Sequence, residues 1–385
     1  MLELAFKGGK SYWGWLVALA VVIGCGFLLY LRQLEFGLGI TGMSRDVSWG
    51  FYIANFTYMV GVAAGGVMVV LPYYLHNYKA YGKVTILGEF LAIASIVVCG
   101  LLILADLGQP MRALNIFLYP TPNSVLFYDA IVLNVYLLLN LIIGWNVLEA
   151  ERNGVHYQKW LKPIIYISIP WAVSIHTVTA YLYCGLPGRG FWLTAILAPR
   201  FLSSAFAAGP ALLILLCLFI RRVTNFDPGR EQIQSLAKTV AYAITINVFF
   251  FLCEIFVVFY SQIPEHMDHI KYLFVGLHGK GIYVPWMWAS MILMVIGIIL
   301  TVNPFTRKNE AILAVACVAI FVGTWIDKGL GMISGGYVPN PLHEINEYVP
   351  TIPEIGITIG VYAVGALVLT VLYKMAVSVK EEIHG

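Results

Sequence analysis

The stretch Val84-Thr-Ile-Leu-Gly-Glu-Phe-Leu-Ala-Ile-Ala-Ser-Ile-Val-Val-Cys-Gly-Leu-Leu-Ile-Leu-Ala-Asp-Leu107 decides the fold. It carries only two charges, Glu89 a turn or so from one end and Asp106 at the other. A bilayer core of roughly 30 Å takes about 20 apolar residues in a helix. Lipid offers backbone amides no partner, so a run of this kind crosses as a helix. Working outward, comparable runs lie near 12–33, 48–77, 123–148, 163–185, 201–220, 236–262, 282–303, 310–332 and 354–376. The expectation is an all-α, polytopic integral membrane protein of ten spans, both termini on one side.

Composition agrees. Hydrophobic residues make up 60% and Asp, Glu, Lys and Arg only 11% of 385 residues, where a soluble domain carries about 25% charge. Mean hydropathy is +0.83. A net charge of +3 is too small to point to nucleic acid. The first apolar run follows Lys7 and Lys10 and is too long for a cleavable signal. The longest non-membrane stretch is about twenty residues, too short to fold a nucleotide- or cluster-binding module. The cysteines at 25, 99, 184, 217, 253 and 317 are scattered, without a Cys-x-x-Cys pair. Clusters and zinc need grouped thiolates, so neither is expected.

Orientation follows from Lys and Arg in the loops. An N-terminus in the cytoplasm puts fifteen of them on that side, Lys79, Arg221, Arg222 and Arg230 included, and eight outside, with Arg112, Arg189, Arg200 and Lys328 among the eight. The outer loops are rich in Gly, Pro and aromatics: Asp106 to Arg112, Gly185 to Trp192, and Gly335 to Pro353. Turn formation and interfacial anchoring explain this composition, as would a docking surface for an external partner.

Five acidic or histidine side chains stand out within the spans: Glu89, Asp106, Asp129, His176 and Glu254. Charge in hydrocarbon is costly and is kept for a partner, cavity or ligand. His176 sits about nine residues from the outer end of span five, roughly 13 Å deep. It could exchange protons near neutral pH or bond a neighbouring helix. Asp106, Asp129 and Glu254 fall in the same outer half. Asp106 could instead pair with Arg112 to fix the turn, and Glu254 could be a protonated acid bonded across helices. Glu89 lies near the cytoplasmic end, either snorkelling to the interface or serving as a proton inlet. The other histidines fall in or near loops, so a bis-His haem is not expected. Trp49, Tyr52 and Asn55 open span two at three-residue steps and read as one face, an aromatic wall with an amide or plain interfacial anchors. Gly61, Gly65 and Gly66 permit close helix approach.

Three motifs carry a resemblance. Val47-Ser-Trp-Gly50 opens span two, Ala105-Asp-Leu-Gly-Gln-Pro-Met-Arg112 is followed by Pro122-Asn-Ser124, and Ser174-Ile-His-Thr-Val178 lies in span five. Together they resemble the NrfD/polysulfide-reductase membrane-subunit family. The run His176 to Phe201 is most similar to its ten-span branch, that of DsrP in the DsrMKJOP complex and of HmcC. The resemblance implies two four-helix bundles, 48–185 and 201–332, flanked by helices 12–33 and 354–376. It implies an exchangeable menaquinone or menaquinol, with no haem or iron–sulfur cluster in the chain. Implied partners are a ferredoxin-like iron–sulfur subunit on the outer face, a multihaem cytochrome c, and further redox subunits. The quinone contacts it implies, joined to the residue reading, are Trp49, Tyr52, Asn55, Arg112, Tyr128 and His176. The proton-handling set is His176, Asp106, Asp129 and Glu254. Ser48 stands where family members often have Pro. A secondary transporter is the competing reading, with Pro72, Pro170 and Pro210 as breakers within spans.

Overall fold

The computed structural model describes residues 2–76 and 81–384; Asn77, closing the second predicted span, and Lys79, one of the counted lysines, lie outside the described residues. Among the described residues, ten helices are long and apolar enough to cross a membrane. In chain order these spans are Lys10–Ile40, Phe51–Leu75, Gly82–Asp106, Val125–Arg152, Leu161–Cys184, Leu197–Val223, Arg230–Ser261, Val284–Val302, Glu310–Tyr337 and Ile352–Glu382. The protein is an all-α polytopic membrane protein, as the length of its apolar runs dictates.

Several helices outrun their apolar stretch. Span seven starts at Arg230 rather than 236, and span ten continues to Glu382 rather than 376. Glu, Lys and Gln are good helix formers, so the helix persists beyond the point where its side chains turn polar. Span nine departs more. It is α-helical to Trp325, widens into a π-helical turn over Ile326–Gly331, and resumes as α-helix over Met332–Tyr337. Gly335 and Gly336, expected to open a loop, are therefore helical. Gly336 serves packing: a Cβ there would stand 1.9 Å from the indole of Trp192. That tryptophan is fully buried rather than anchored in the headgroup zone, and its Nε1 donates to the Met332 carbonyl at 2.9 Å.

Span two forms the axis. Nearly all of it is enclosed, whereas span one is mostly exposed at the perimeter. Span two packs against spans three, five and six and against the π-turn of span nine. Gly65 meets Gly209 of span six so closely that a Cβ on either would stand 2.7 Å from the other's Cα. Spans four and five pair with each other, as do six and seven, eight and nine, and one and ten. One end of the assembly bears the long Gly/Pro/aromatic connections 41–50, 107–124, 185–196, 262–283 and 338–351. It is called the loop end below.

Candidate functional site

Ser48 and Trp49 precede the helix of span two, which starts at Phe51, and project into a cavity of about 310 Å³ at the loop end. Leu186, Pro187, Gly188, Arg189 and Tyr337 complete its lining. Trp49 stacks on Trp192 (centroids 6.0 Å, interplanar 28°) and meets Tyr183 and Tyr337 edge-on. Ser48 and Tyr337 share a hydrogen bond of 3.0 Å. The Arg189 guanidinium lies 4.3 Å over the Tyr337 ring, and its Nη1 is buried with no hydrogen-bond partner among the described residues. A flat apolar wall beside an unused cationic donor suits a planar ring carrying carbonyl acceptors.

Rings continue inward from this cavity. Tyr183 meets Phe201 at 6.0 Å, and Phe201 stacks on His176 at 5.0 Å and 29°. His176 is fully enclosed, and its Nε2 is hydrogen-bonded to Lys328 Nζ. Lys328 also donates to the Phe201 carbonyl at 3.1 Å and to Ser204 Oγ at 2.9 Å. With the lysine as an ammonium, which has three donors and no acceptor, all three are engaged and Nε2 accepts. The ring proton then sits on Nδ1, which has no partner among the described residues. Such a pair can pass one proton between lysine and imidazole. Gly61 makes room for it: a Cβ there would lie 3.0 Å from Lys328 Nζ and 3.2 Å from His176 Nε2. Read from sequence as helix packing alone, Gly61 also serves the polar centre.

Beside Lys328, Arg200 bridges two carboxylates. It bonds Glu254 through Nη1 and Asp327 through Nη2, the latter at 2.6 Å. All three are buried. Two carboxylates, one guanidinium and one ammonium sum to zero charge, which makes burial tolerable. The π-turn sets Asp327 toward Arg200 and its neighbour Lys328 toward His176. Single π-turns inside α-helices recur at functional sites. Sequence reasoning missed this centre. It counts Lys328 and Arg200 among the outer-loop charges, and Asp327, inside the predicted span nine, is absent from the set of five. The signal was present, since Trp325-Ile-Asp-Lys-Gly-Leu-Gly331 lies within the run predicted to span the membrane near 310–332, yet Lys328 is counted there with the outer charges and Asp327 is passed over.

The other predicted residues separate. Asp129 is buried and accepts from Thr179 Oγ1 at 2.6 Å, apart from the Arg200 network. Asp106 Oδ1 is buried without a partner, while Arg112 is exposed and makes no ion pair, so the expected Asp106–Arg112 pair is absent among the described residues. The Asp106 carboxyl lies within electrostatic reach of Tyr52, Tyr183 and Tyr337. Trp49, Tyr52 and Asn55 do not share a face: Trp49 lies before the helix, which starts at Phe51, and Tyr52 and Asn55 turn to different partners. Tyr52 donates to Gln33 Oε1 at 2.6 Å. Asn55 Oδ1 accepts from Trp325 Nε1 at 3.0 Å and from Tyr362 at 2.9 Å, beside a separate membrane-facing groove. Tyr128 is exposed on span four. Glu89 does not snorkel; it is buried, with both carboxyl oxygens unpartnered among the described residues. Among the described residues, no three His, Cys, Asp or Glu side chains are grouped to hold a metal ion.

Fold and site together define a ten-span membrane protein, with an aromatic pocket at its loop end and an ionic centre at its heart. The chain belongs to the NrfD family: the family model described as "Polysulphide reductase, NrfD" matches residues 39–338. It is similar to a putative membrane subunit of the dimethyl sulfoxide reductase of Halobacterium salinarum, 27% identical over 92% of this chain and 89% of the relative. It is similar to an Hdr-like menaquinol oxidoreductase integral membrane subunit of Archaeoglobus fulgidus, 24% identical over 96% and 94%. A third relative is the menaquinone reductase integral membrane subunit of Nitratidesulfovibrio vulgaris, 22% identical over 94% and 90%.

Proposed function

We propose that the chain is the quinone-interacting membrane subunit of a respiratory electron-transfer complex in the cytoplasmic membrane. It exchanges electrons between menaquinol or menaquinone and an iron–sulfur subunit docked on its loop end. In this reading it falls in the ten-span branch of DsrP and HmcC, in sulfur and sulfite metabolism, with a multihaem cytochrome c among the further partners. The division into bundles 48–185 and 201–332, and an outward-facing loop end, belong to the same reading.

The observation that carries the proposal is the aromatic pocket with its unpartnered Arg189 donor. A naphthoquinone is a planar apolar body with two carbonyl acceptors. Trp49 and Tyr337 offer planar surfaces, Arg189 Nη1 a donor, and Ser48 a hydroxyl, so the lining fits the ring. Two relatives carry menaquinol or menaquinone in their names. Oxidation of a quinol supplies two electrons and two protons, the electrons leaving singly for a cluster in the partner. Trp49 orients the ring and Arg189 favours negative charge on its oxygen. Asp106, within electrostatic reach of Tyr183 and Tyr337, is the candidate to take a proton, and Asp129, Glu254 and the His176–Lys328 pair form a deeper proton-handling layer.

Titration of the purified complex with a short-chain naphthoquinone, followed by tryptophan quenching, tests this. Arg189→Ala removes one charge-assisted hydrogen bond, so the Kd is expected to rise roughly tenfold or more. In His176→Ala, binding persists while quinol-linked electron transfer falls and assembly stays intact. Unaltered affinity in both Arg189→Ala and Trp49→Ala would remove the pocket from consideration.

A further inference from the structure

At the end opposite the loops, the last two turns of span six and the first turns of span nine enclose a groove of about 260 Å³. Its walls are apolar: Leu215, Leu218 and Phe219 on one side, Ala314 on the other. Leu215, Leu218, Phe219 and Arg222 follow the i, i+3, i+4, i+7 pattern, so Arg222 crowns one continuous stripe about 10 Å long. Phe219 is 61% exposed in a segment bounded by hydrocarbon. Arg221, beside the crown, is ion-paired with Glu310 across the groove and stands 3.9 Å from Asp227. Arg222 is exposed and has no hydrogen-bond or ion-pair partner among the described residues. Arg230, Arg307 and Lys308 lie on the same rim, Arg230 bonding the Lys308 carbonyl at 3.3 Å. Of the two cations that line the groove, Arg221 is thus matched by Glu310, and Arg222 stands unmatched among the described residues at the mouth of an apolar slot.

We infer that this groove is a binding site for one anionic phospholipid of the surrounding leaflet, its phosphate on Arg222 and an acyl chain along Leu215, Leu218, Phe219 and Ala314. Charge complementarity selects the occupant. A cation at the polar rim above an apolar stripe matches a headgroup with its chain, whereas a soluble anion would leave the stripe uncovered, and a zwitterionic lipid would leave the surplus cation unmatched. Basic pockets between spans are the form such sites take. The Arg221–Glu310 pair closes the wall and holds the groove's own carboxylate on Arg221 rather than on Arg222. The site lies far from the aromatic pocket and does not depend on the quinone reading.

Native mass spectrometry of the purified chain, with its co-purifying partners, in detergent containing equal phosphatidylglycerol and phosphatidylcholine is the test. The expected result is one retained lipid, with roughly fivefold preference for phosphatidylglycerol, the size one surface arginine confers. Arg222→Gln brings the two lipids to parity. Ala314→Phe fills the groove and lowers occupancy by both lipids while leaving the charges in place. Both sites are at the surface, and thermal unfolding of each variant checks its fold. Parity in the wild type, or preference retained in Arg222→Gln, overturns the site. Loss in Arg222→Gln with none in Ala314→Phe also overturns it, leaving only a diffuse basic rim.

Discussion

Lys328 Nζ is held by three partners, His176 Nε2, the Phe201 carbonyl and Ser204 Oγ. The lysine is therefore a fixed point, and His176 is oriented by it rather than by a carboxylate. Gly61 is the residue that permits the arrangement, with the nearest atoms 3.0 and 3.2 Å from where its Cβ would stand. Gly61→Ala should push Lys328 and His176 by a few tenths of an ångström to one ångström. Displacements of that order at reacting groups cost on the order of ten- to a hundredfold in rate. Quinol-linked turnover of the complex is expected to drop in that range while its yield falls far less. Turnover within a factor of two of the wild type would show that the pair is structural. His176 was legible in the sequence because a lone histidine deep in an apolar run is conspicuous. Its partner was not, because Lys328 stands next to Asp327 and two glycines, and only the three-dimensional path of span nine reveals that the pair is inside.

At the scale of elements, the π-turn Ile326–Gly331 and the start of span six carry the buried charges together. Arg200 holds Glu254 and Asp327 at once, so its loss strands two carboxylates among apolar side chains. Arg200→Met should destabilise the folded chain by about 3–5 kcal/mol, the cost of breaking a buried ion pair from one side. Adding Glu254→Gln and Asp327→Asn should restore much of that loss, because the stranded charges go with it. Thermal unfolding of the detergent-solubilised variants reads both. A triple variant no more stable than the single one would mean that packing, not charge, sets the cost. The ten helices themselves could be read from hydropathy, since burial in lipid is a compositional demand. Their ends could not, because polar helix formers extend them, as Arg230 and Glu382 do. Nor could the break in span nine, since Gly335 and Gly336 look like turn formers until the indole of Trp192 is seen lying on Gly336.

Across the whole molecule, polar function is divided between ends. The aromatic pocket and its ring path to His176 open at the loop end. Glu89 and the unpartnered Tyr74 hydroxyl lie toward the other. Which end faces the cytoplasm decides where electrons and protons are exchanged. Of the eight basic residues assigned to the outer side, Arg200 and Lys328 are buried in the core and exert no topogenic pull as loop charges. Their removal sharpens the bias toward a cytoplasmic N-terminus, so the loop end should face outward. Single cysteines at Met111 and Asn153 test this, since both positions are exposed and lie at opposite ends of the spans. In intact cells a membrane-impermeant maleimide should label Met111→Cys, and it should reach Asn153→Cys only after permeabilisation. The six native cysteines lie within spans, so background labelling should be low. The opposite pattern would place the aromatic pocket on the cytoplasmic side, and the iron–sulfur partner would have to dock there.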